Sequence, residues 1–187
     1  MSLFLLFTLA VCALAALSDF RTGLIPNWLT LGALLAGVLG HLVYGSLVVD
    51  ARTGLHEGAA AVAGVVVCAL APGLLYWKGA MGGGDLKLFA AIGALCQPLV
   101  GIEIQMYALV VAAIIAPARL AYEGQLLRVM AGTLSVALNP FLPRARKRSL
   151  PPQALTSFRL GPAIFAGAAL SIALRGYALL SQSWSGS

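Results

Sequence analysis

Long apolar runs are the feature that most constrains how this chain folds. Of its 187 residues, 60% are hydrophobic and only 10% are charged, and the mean hydropathy is +0.94. A soluble domain is about half apolar and about a quarter charged, and disordered or coiled-coil chains need a charge density that this sequence lacks. The composition therefore predicts an integral membrane protein.

The spacing of the apolar runs predicts an all-α fold. Each membrane-spanning helix needs about 20 residues, which leaves room for about six such helices in a chain of this length. The candidate segments are residues 1–17, 28–49, 58–77, 86–102, 104–118 and 160–180, with Glu103 in the tight connection between the fourth and fifth. We expect a single polytopic domain over residues 1–187 and no second, soluble domain.

The distribution of basic side chains predicts the orientation of these helices. Cytoplasmic loops of membrane proteins are enriched in Lys and Arg. If the N-terminus lies outside, ten of the twelve basic residues lie on the cytoplasmic side, and only Arg52 and Arg175 on the other. The alternative is a cleaved signal peptide over residues 1–17, but its start carries no basic side chain. We therefore expect a retained first helix with its N-terminus outside.

The stretch over residues 119–159 is expected to be cytoplasmic or interfacial. It combines an interfacial helix, or an extension of the fifth helix, with a basic linker rich in proline. The linker suits a determinant of topology, and it also suits a site for anionic lipid head groups or a partner protein. The net charge of +6 is explained by such loops, so we expect no nucleic acid as a partner.

No metal or cofactor is expected from the cysteines and histidines. The three cysteines lie inside apolar runs and form no Cys-x-x-Cys pair, so we interpret them as packed thiols. His41 and His56 are fifteen residues apart and close to the ends of segments. This spacing does not favour a metal site.

Acidic residues are costly in a membrane, about 2.5 to 3.5 kcal/mol at the centre of a helix, so each one needs an explanation. Four of the six have a simple one. Two lie in the outer loop, one opens the fifth helix, and one is in the interfacial stretch: Asp50, Glu57, Glu103 and Glu123. Asp19 and Asp85 remain as candidates for chemistry.

Asp19 and Asp85 are expected to lie at the same membrane surface. Gly23 and Pro26 predict that Asp19 is in the last turn of the first helix. Asp85 follows Gly82-Gly83-Gly84 and opens the fourth helix, and with the N-terminus outside both carboxylates are cytoplasmic. This placement would allow a pair of carboxylates to act together.

Taken singly, each of these features also has a purely structural interpretation. Asp85 is a good N-cap residue, and Asp19 could pair with Arg21 or Lys87. The triple glycine could be a flexible turn. The combination is more informative, because glycines next to a carboxylate let a substrate backbone approach closely.

The Gly82-Gly83-Gly84-Asp85 element with Leu86-Lys87 resembles the Gly-x-Gly-Asp motif of the type IV prepilin peptidases, which are intramembrane aspartic proteases. Asp19 with Ile25-Pro26-Asn27 resembles the first aspartate region of that family. Arg159-Leu160-Gly161-Pro162-Ala163 is similar to its third block, although Leu160 stands where Tyr or Phe is usual. The resemblance covers nearly the whole chain in the same order.

This resemblance implies an enzyme of the bacterial inner membrane that removes a short basic leader from a prepilin. Asp19 and Asp85 would be catalytic, with motif or positioning roles for Gly82, Gly83, Gly84, Lys87, Pro26 and Asn27. The chain lacks the Cys-x-x-Cys region of larger members, so no methyltransferase activity is expected. The short form resembles the peptidases of tight-adherence, or Flp-type, pilus systems.

The expected mechanism uses two carboxylates that share one proton. Helix dipoles favour an ionised Asp85 at a helix N-terminus and a protonated Asp19 near a helix C-terminus, which predicts Asp85 as the base and Asp19 as the acid. Two alternative functions stay open. One is a small proton-linked transporter or channel with acidic groups at mid-membrane, and the other is a non-catalytic membrane assembly subunit.

Overall fold

The computed structural model describes residues 2–122 and 159–185, and every regular element in these ranges is helical. This confirms the all-α class. The helices, numbered in chain order, are α1 (Ser2–Thr22), α2 (Asn27–Val48), α3 (Ala51–Trp77), α4 (Gly83–Tyr122) and α5 (Gly161–Ser185). The chain divides into two compact units, Met1–Val111 with Arg159–Ser187, and Ala112–Phe158.

Four of the described helices are long and apolar enough to cross a membrane: Leu3–Thr22, Asn27–Val48, Ala51–Trp77 and Gly83–Ala118. Many large apolar side chains on these helices are exposed, among them Leu35, Leu47 and Leu99. Apolar surface on this scale needs a lipid environment. The chain is therefore a multi-pass membrane protein, while the count of six spans and the outside N-terminus stay predictions.

The first half of α4 is the central helix of the larger unit. Leu88, Phe89, Ile92 and Leu95 are at most 1% exposed. The buried side chains around them come from α1, α2, α5 and the second half of α4: Leu5, Val11, Cys12, Ala15, Leu29, Ala33, Ile104, Ala108, Ile164 and Ala168. Neighbouring helices thus enclose the segment that follows the first turn of α4.

Close contact between α3 and α4 depends on a pair of glycines. A Cβ atom on Gly64 would lie 2.1 Å from the carbonyl oxygen of Gly93, and a Cβ atom on Gly93 would lie equally close to the carbonyl oxygen of Gly64. Helices in a membrane associate through such contacts between small residues, because lipid provides no hydrophobic force between them.

The expected connection at Glu103 is wrong, because α4 breaks at Gln97 instead. Gln97 has φ 62° and ψ 174°, and the chain is helical on both sides of it. Pro98 follows, and a proline disfavours helical backbone in the residue before it. The fourth and fifth predicted segments thus form one element with a break, and residues 119–122 continue it. The rest of the stretch over residues 119–159, apart from Arg159, lies outside the described residues.

The expected outer loop around Glu57 is also wrong, because α3 begins at Ala51. Asp50 caps this helix by accepting a hydrogen bond of 2.7 Å from the Thr53 N–H, and this bond holds the pKa of Asp50 below its ordinary value. Glu57 lies seven residues, about two turns, beyond Asp50, and it accepts a hydrogen bond from the Gln97 side chain. The carboxylate of Glu57 thereby stabilises the break in α4.

Glu103 lies within α4 and is paired with α5. Its carboxylate forms an ion pair with Arg175 and accepts a hydrogen bond of 3.0 Å from the Ser171 hydroxyl. The side chains of Glu103 and Arg175 are each 30% exposed. A carboxylate inside a membrane helix is costly without such partners, so this contact connects α4 and α5 and explains Glu103 better than a helix dipole does.

Glu103→Leu and Arg175→Leu should each lower the melting temperature of the detergent-solubilised protein. Each leaves a half-buried charge without its partner, which costs about 1–3 kcal/mol. The double variant should recover most of this loss, because an apolar pair needs no partner. Thermal unfolding of the four proteins measures this, and losses that simply add in the double variant would contradict the pairing.

Candidate active site

The first acidic candidate, Asp19, lies in the last turn of α1, as the sequence predicts. The helix ends at Thr22, and Gly23 adopts the left-handed φ of 70° while its N–H donates a hydrogen bond of 2.9 Å to the Asp19 carbonyl. Glycine adopts this conformation without steric cost. The chain then reverses, and Pro26, in extended backbone, precedes α2.

The second candidate, Asp85, lies in the first turn of α4. This helix begins at Gly83, and the Gly82 carbonyl accepts a hydrogen bond of 3.3 Å from the Leu86 N–H. Gly82, rather than Asp85, therefore occupies the cap position. The Asp85 carboxylate accepts a hydrogen bond from the Gly82 N–H, and a carboxylate in the first turn also suits the positive end of the helix dipole.

Asp19 and Asp85 line one cavity of about 510 Å³, although 65 residues separate them in the sequence. The two carboxylates repel each other electrostatically. Around them the cavity wall is made by the loop between α1 and α2 and by the start of α4: Gly23, Leu24, Ile25, Pro26, Asn27, Gly82, Gly83, Gly84 and Lys87. Every residue that the sequence marks as a site residue thus lies on this wall.

All three glycines before Asp85 lie against neighbouring side chains, and Gly82 and Gly84 have the closest contacts. A Cβ atom on Gly82 would be 3.2 Å from the Asp85 carboxylate, and one on Gly84 would be 3.2 Å from the Cβ of Ile25. Such contacts are tighter than ordinary van der Waals packing. The side chains of Asp85 and Ile25 therefore fill part of the space that is left by the missing Cβ atoms of Gly82 and Gly84.

Lys87 and Asn27 connect the two walls of the cavity. The Lys87 ammonium donates a hydrogen bond of 2.8 Å to the side-chain oxygen of Asn27. The hydrogen bond between Lys87 and Asn27 fixes the first turn of α2 relative to the first turn of α4.

Among the described residues, the ion pairs join His41 to Glu57 and Arg175 to Glu103. Neither Asp19 nor Asp85 takes part in an ion pair within this part of the chain.

Asp19 has a partner that the sequence analysis did not identify. Its side chain is only 6% exposed, and its Oδ2 atom accepts a hydrogen bond of 2.9 Å from the Gly161 N–H at the start of α5. Arg159 donates a hydrogen bond to the Phe20 carbonyl, next to Asp19 in the chain. In the sequence, the Gly161-Pro162 pair marks the start of a helix. The pair does not indicate which other helix the Gly161 N–H group contacts.

The described residues, 2–122 and 159–185, contain no group of three His, Cys, Asp or Glu side chains that could hold a metal ion. Cys12, Cys68 and Cys96 are buried and free, which confirms their interpretation as packed thiols. His41 stacks on Phe4, with ring centroids 3.9 Å apart, and its Nε2 atom lies 2.9 Å from the Leu95 carbonyl oxygen. The side chains of Cys12, Cys68, Cys96 and His41 thus pack against other parts of the protein.

One of three comparisons with known proteins gives a match. Searches of curated proteins and of solved structures give no match. The sequence model of the type IV leader peptidase family matches residues 6–117, which include both aspartates and the whole lining of the cavity. Because the match covers more than half of the chain, the protein belongs to the type IV leader peptidase family.

Proposed function

We propose that this protein is an intramembrane aspartic endopeptidase that removes the short basic leader of Flp-type prepilins. The observation that carries the proposal is the single cavity lined by Asp19, Asp85 and the glycines before Asp85. Its volume of about 510 Å³ falls among ligand sites, which measure about 300–1,000 Å³. Membership in a family of leader peptidases supports a prepilin as the substrate.

In the proposed reaction, Asp19 and Asp85 share one proton and act on a bound water molecule. One carboxylate takes a proton from the water as its oxygen attacks the carbonyl carbon of the scissile peptide bond. The other, protonated carboxyl group gives its proton to the carbonyl oxygen. The resulting diol collapses when the first group returns its proton to the leaving amide nitrogen and the second group takes back a proton from one diol hydroxyl. The C–N bond then breaks, a carboxylic acid and an amine are released, and the pair again holds one proton.

The order of proton transfer does not follow from the helix dipoles. Asp85 lies in the first turn of α4 and accepts the Gly82 N–H, whereas Asp19 accepts the Gly161 N–H at the start of α5. Each carboxylate therefore has a donor from a helix N-terminus, and the asymmetry that predicted Asp85 as the base disappears. We propose only that the pair shares one proton.

The proposed location is the cytoplasmic face of the bacterial inner membrane. There water reaches the ends of α1 and α4, and the basic loops contact anionic head groups. No methyltransferase activity is part of the proposal. A small proton-linked transporter would use acidic groups at mid-membrane, whereas the two acidic groups that line the cavity, Asp19 and Asp85, lie at helix ends.

Asp19→Asn and Asp85→Asn should each abolish leader removal. Each leaves the pair without one proton-transferring group, which is worth about 10²–10⁴-fold in rate. The test is co-expression of each variant with a tagged Flp-type prepilin, with leader removal followed by gel shift.

Asp50→Asn is the matched control for these two variants. It makes the same chemical change at an exposed carboxylate that caps α3 and does not line the cavity, and asparagine caps helices about as well as aspartate. This variant should cut normally. Cleavage by either Asp19→Asn or Asp85→Asn would exclude the pair, and failure of the inserted parent protein to cut any prepilin of a panel would exclude the peptidase.

Asn27→Ala should lower kcat/KM about fivefold, because the hydrogen bond from Lys87 is worth about 1 kcal/mol. Asn27→Asp keeps an acceptor for the Lys87 ammonium and should retain most of the activity. Initial rates with purified enzyme and prepilin in detergent provide the measurement. Equal losses in the Ala and Asp variants would show that the Lys87–Asn27 contact does not position the site.

A further inference from the structure

We propose that the start of α5 positions Asp19 for the reaction, through the Gly161 N–H group and the Arg159 guanidinium. The inference rests on the proposed peptidase function and adds two residues to it. Both lie outside residues 6–117, the part of the chain that matches the family model. A separate part of the chain would thus complete the site.

The first argument is the hydrogen bond between Gly161 and Asp19. Asp19 is the one acidic side chain that is buried in the described part of the chain, and a buried carboxylate needs a hydrogen-bond partner. The Gly161 N–H supplies it at 2.9 Å. This N–H belongs to the first turn of α5, where donors have no partner within their own helix, and Pro162 after it has no N–H to offer.

The second argument is the space around Gly161. A Cβ atom at this position would lie 2.8 Å from both the Cβ and the Oδ2 atoms of Asp19. Contacts under about 3 Å between such atoms force one of them to move. Rotation of the Asp19 side chain does not move its Cβ atom, so the start of α5 and the last turn of α1 would have to separate, which moves the Gly161 N–H away from the carboxylate. Glycine at 161 therefore lets the donor approach without displacing the side chain.

The third argument is the contact made by Arg159. Its guanidinium donates a hydrogen bond to the Phe20 carbonyl in the last turn of α1, where carbonyl groups lack partners within the helix and a cation is favoured. Arg159 thus holds the backbone beside Asp19, while Gly161 holds the carboxylate itself. Two contacts on adjacent residues fix both the position and the direction of Asp19 relative to Asp85.

Gly161→Ala tests the inference in a steady-state assay with purified protein and a Flp-type prepilin. We expect kcat to fall about 100-fold, the effect of displacing a reacting group by about 1 Å. KM should stay close to its original value, because Gly161 is outside the cavity wall that would bind the substrate. A loss of binding alone, with unchanged kcat, would overturn the inference.

Two other glycines of α5 are matched controls. A Cβ atom on Gly176 meets nothing within 4 Å, so Gly176→Ala should behave like the parent protein. A Cβ atom on Gly167 would lie 2.4 Å from the Ala108 backbone, so Gly167→Ala should lower the melting temperature while the folded fraction keeps its kcat. If Gly161→Ala shows this second pattern, its role is packing alone and the inference is wrong.

Arg159→Ala provides a second test that does not depend on the folding of Gly161→Ala, because Arg159 is exposed. It should lower kcat about fivefold, the value of about one hydrogen bond, and Arg159→Lys should restore part of the rate. Unchanged kcat in Arg159→Ala would remove Arg159 from the proposal. If the parent protein cuts and Asp19→Asn does not, yet Gly161→Ala keeps its kcat, the positioning role fails while the peptidase stands.

Discussion

The absence of water inside a membrane determines where this chain can place its carboxylates. Away from the helix ends, each acidic side chain needs a partner from the protein, because an unpaired charge in a bilayer is costly. Glu103 has Arg175 and Ser171, and Glu57 has the Gln97 amide. Asp19 and Asp85 differ from these, because they lie at helix ends, share a cavity, and bind only backbone N–H groups in the described part of the chain. The Gly161 N–H thus holds the Asp19 carboxylate in place, and the Gly82 N–H does the same for Asp85.

The buried first half of α4 connects the fold to the site. Neighbouring helices enclose the segment from Leu88 to Leu95. The position of the preceding turn, which carries Asp85, is thereby fixed. On the other wall of the cavity, Asp19 lies in the last turn of α1, and α1 packs against α5. The Gly161 N–H and the Lys87–Asn27 contact then join the ends of four helices at one place. A catalytic pair on separate helices needs such support, since an error of about 1 Å in position can cost about 100-fold in rate.

The sequence was sufficient to predict the all-α class and the positions of Asp19 and Asp85 at helix ends, because apolar runs, Gly23 and the glycines before Asp85 are local signals. The sequence does not indicate which distant segments of the chain contact each other. The break at Gln97 replaced the connection expected at Glu103. Pro98 was a local signal for this break that the sequence analysis did not use, whereas the contact between Gln97 and Glu57 depends on tertiary packing. The Gly161 contact with Asp19 was missed for the same reason, since a free N–H at a helix start does not specify its acceptor. The proton order predicted from the ends of α1 and α4 did not take this contact into account.

The central claim is that Asp19 and Asp85 face one cavity, and cysteine cross-linking tests it directly. The three native cysteines are buried and do not line this cavity, so an Asp19→Cys, Asp85→Cys double variant adds two thiols on the cavity wall of the membrane-embedded protein. A short bifunctional thiol reagent should link this pair within one chain. It should not link the control pair Asp19→Cys, Glu57→Cys, because Glu57 lies beside His41, which stacks on Phe4, about 22 Å from Asp19 along α1. If both thiols of the first pair react singly and no link forms, the shared cavity is wrong.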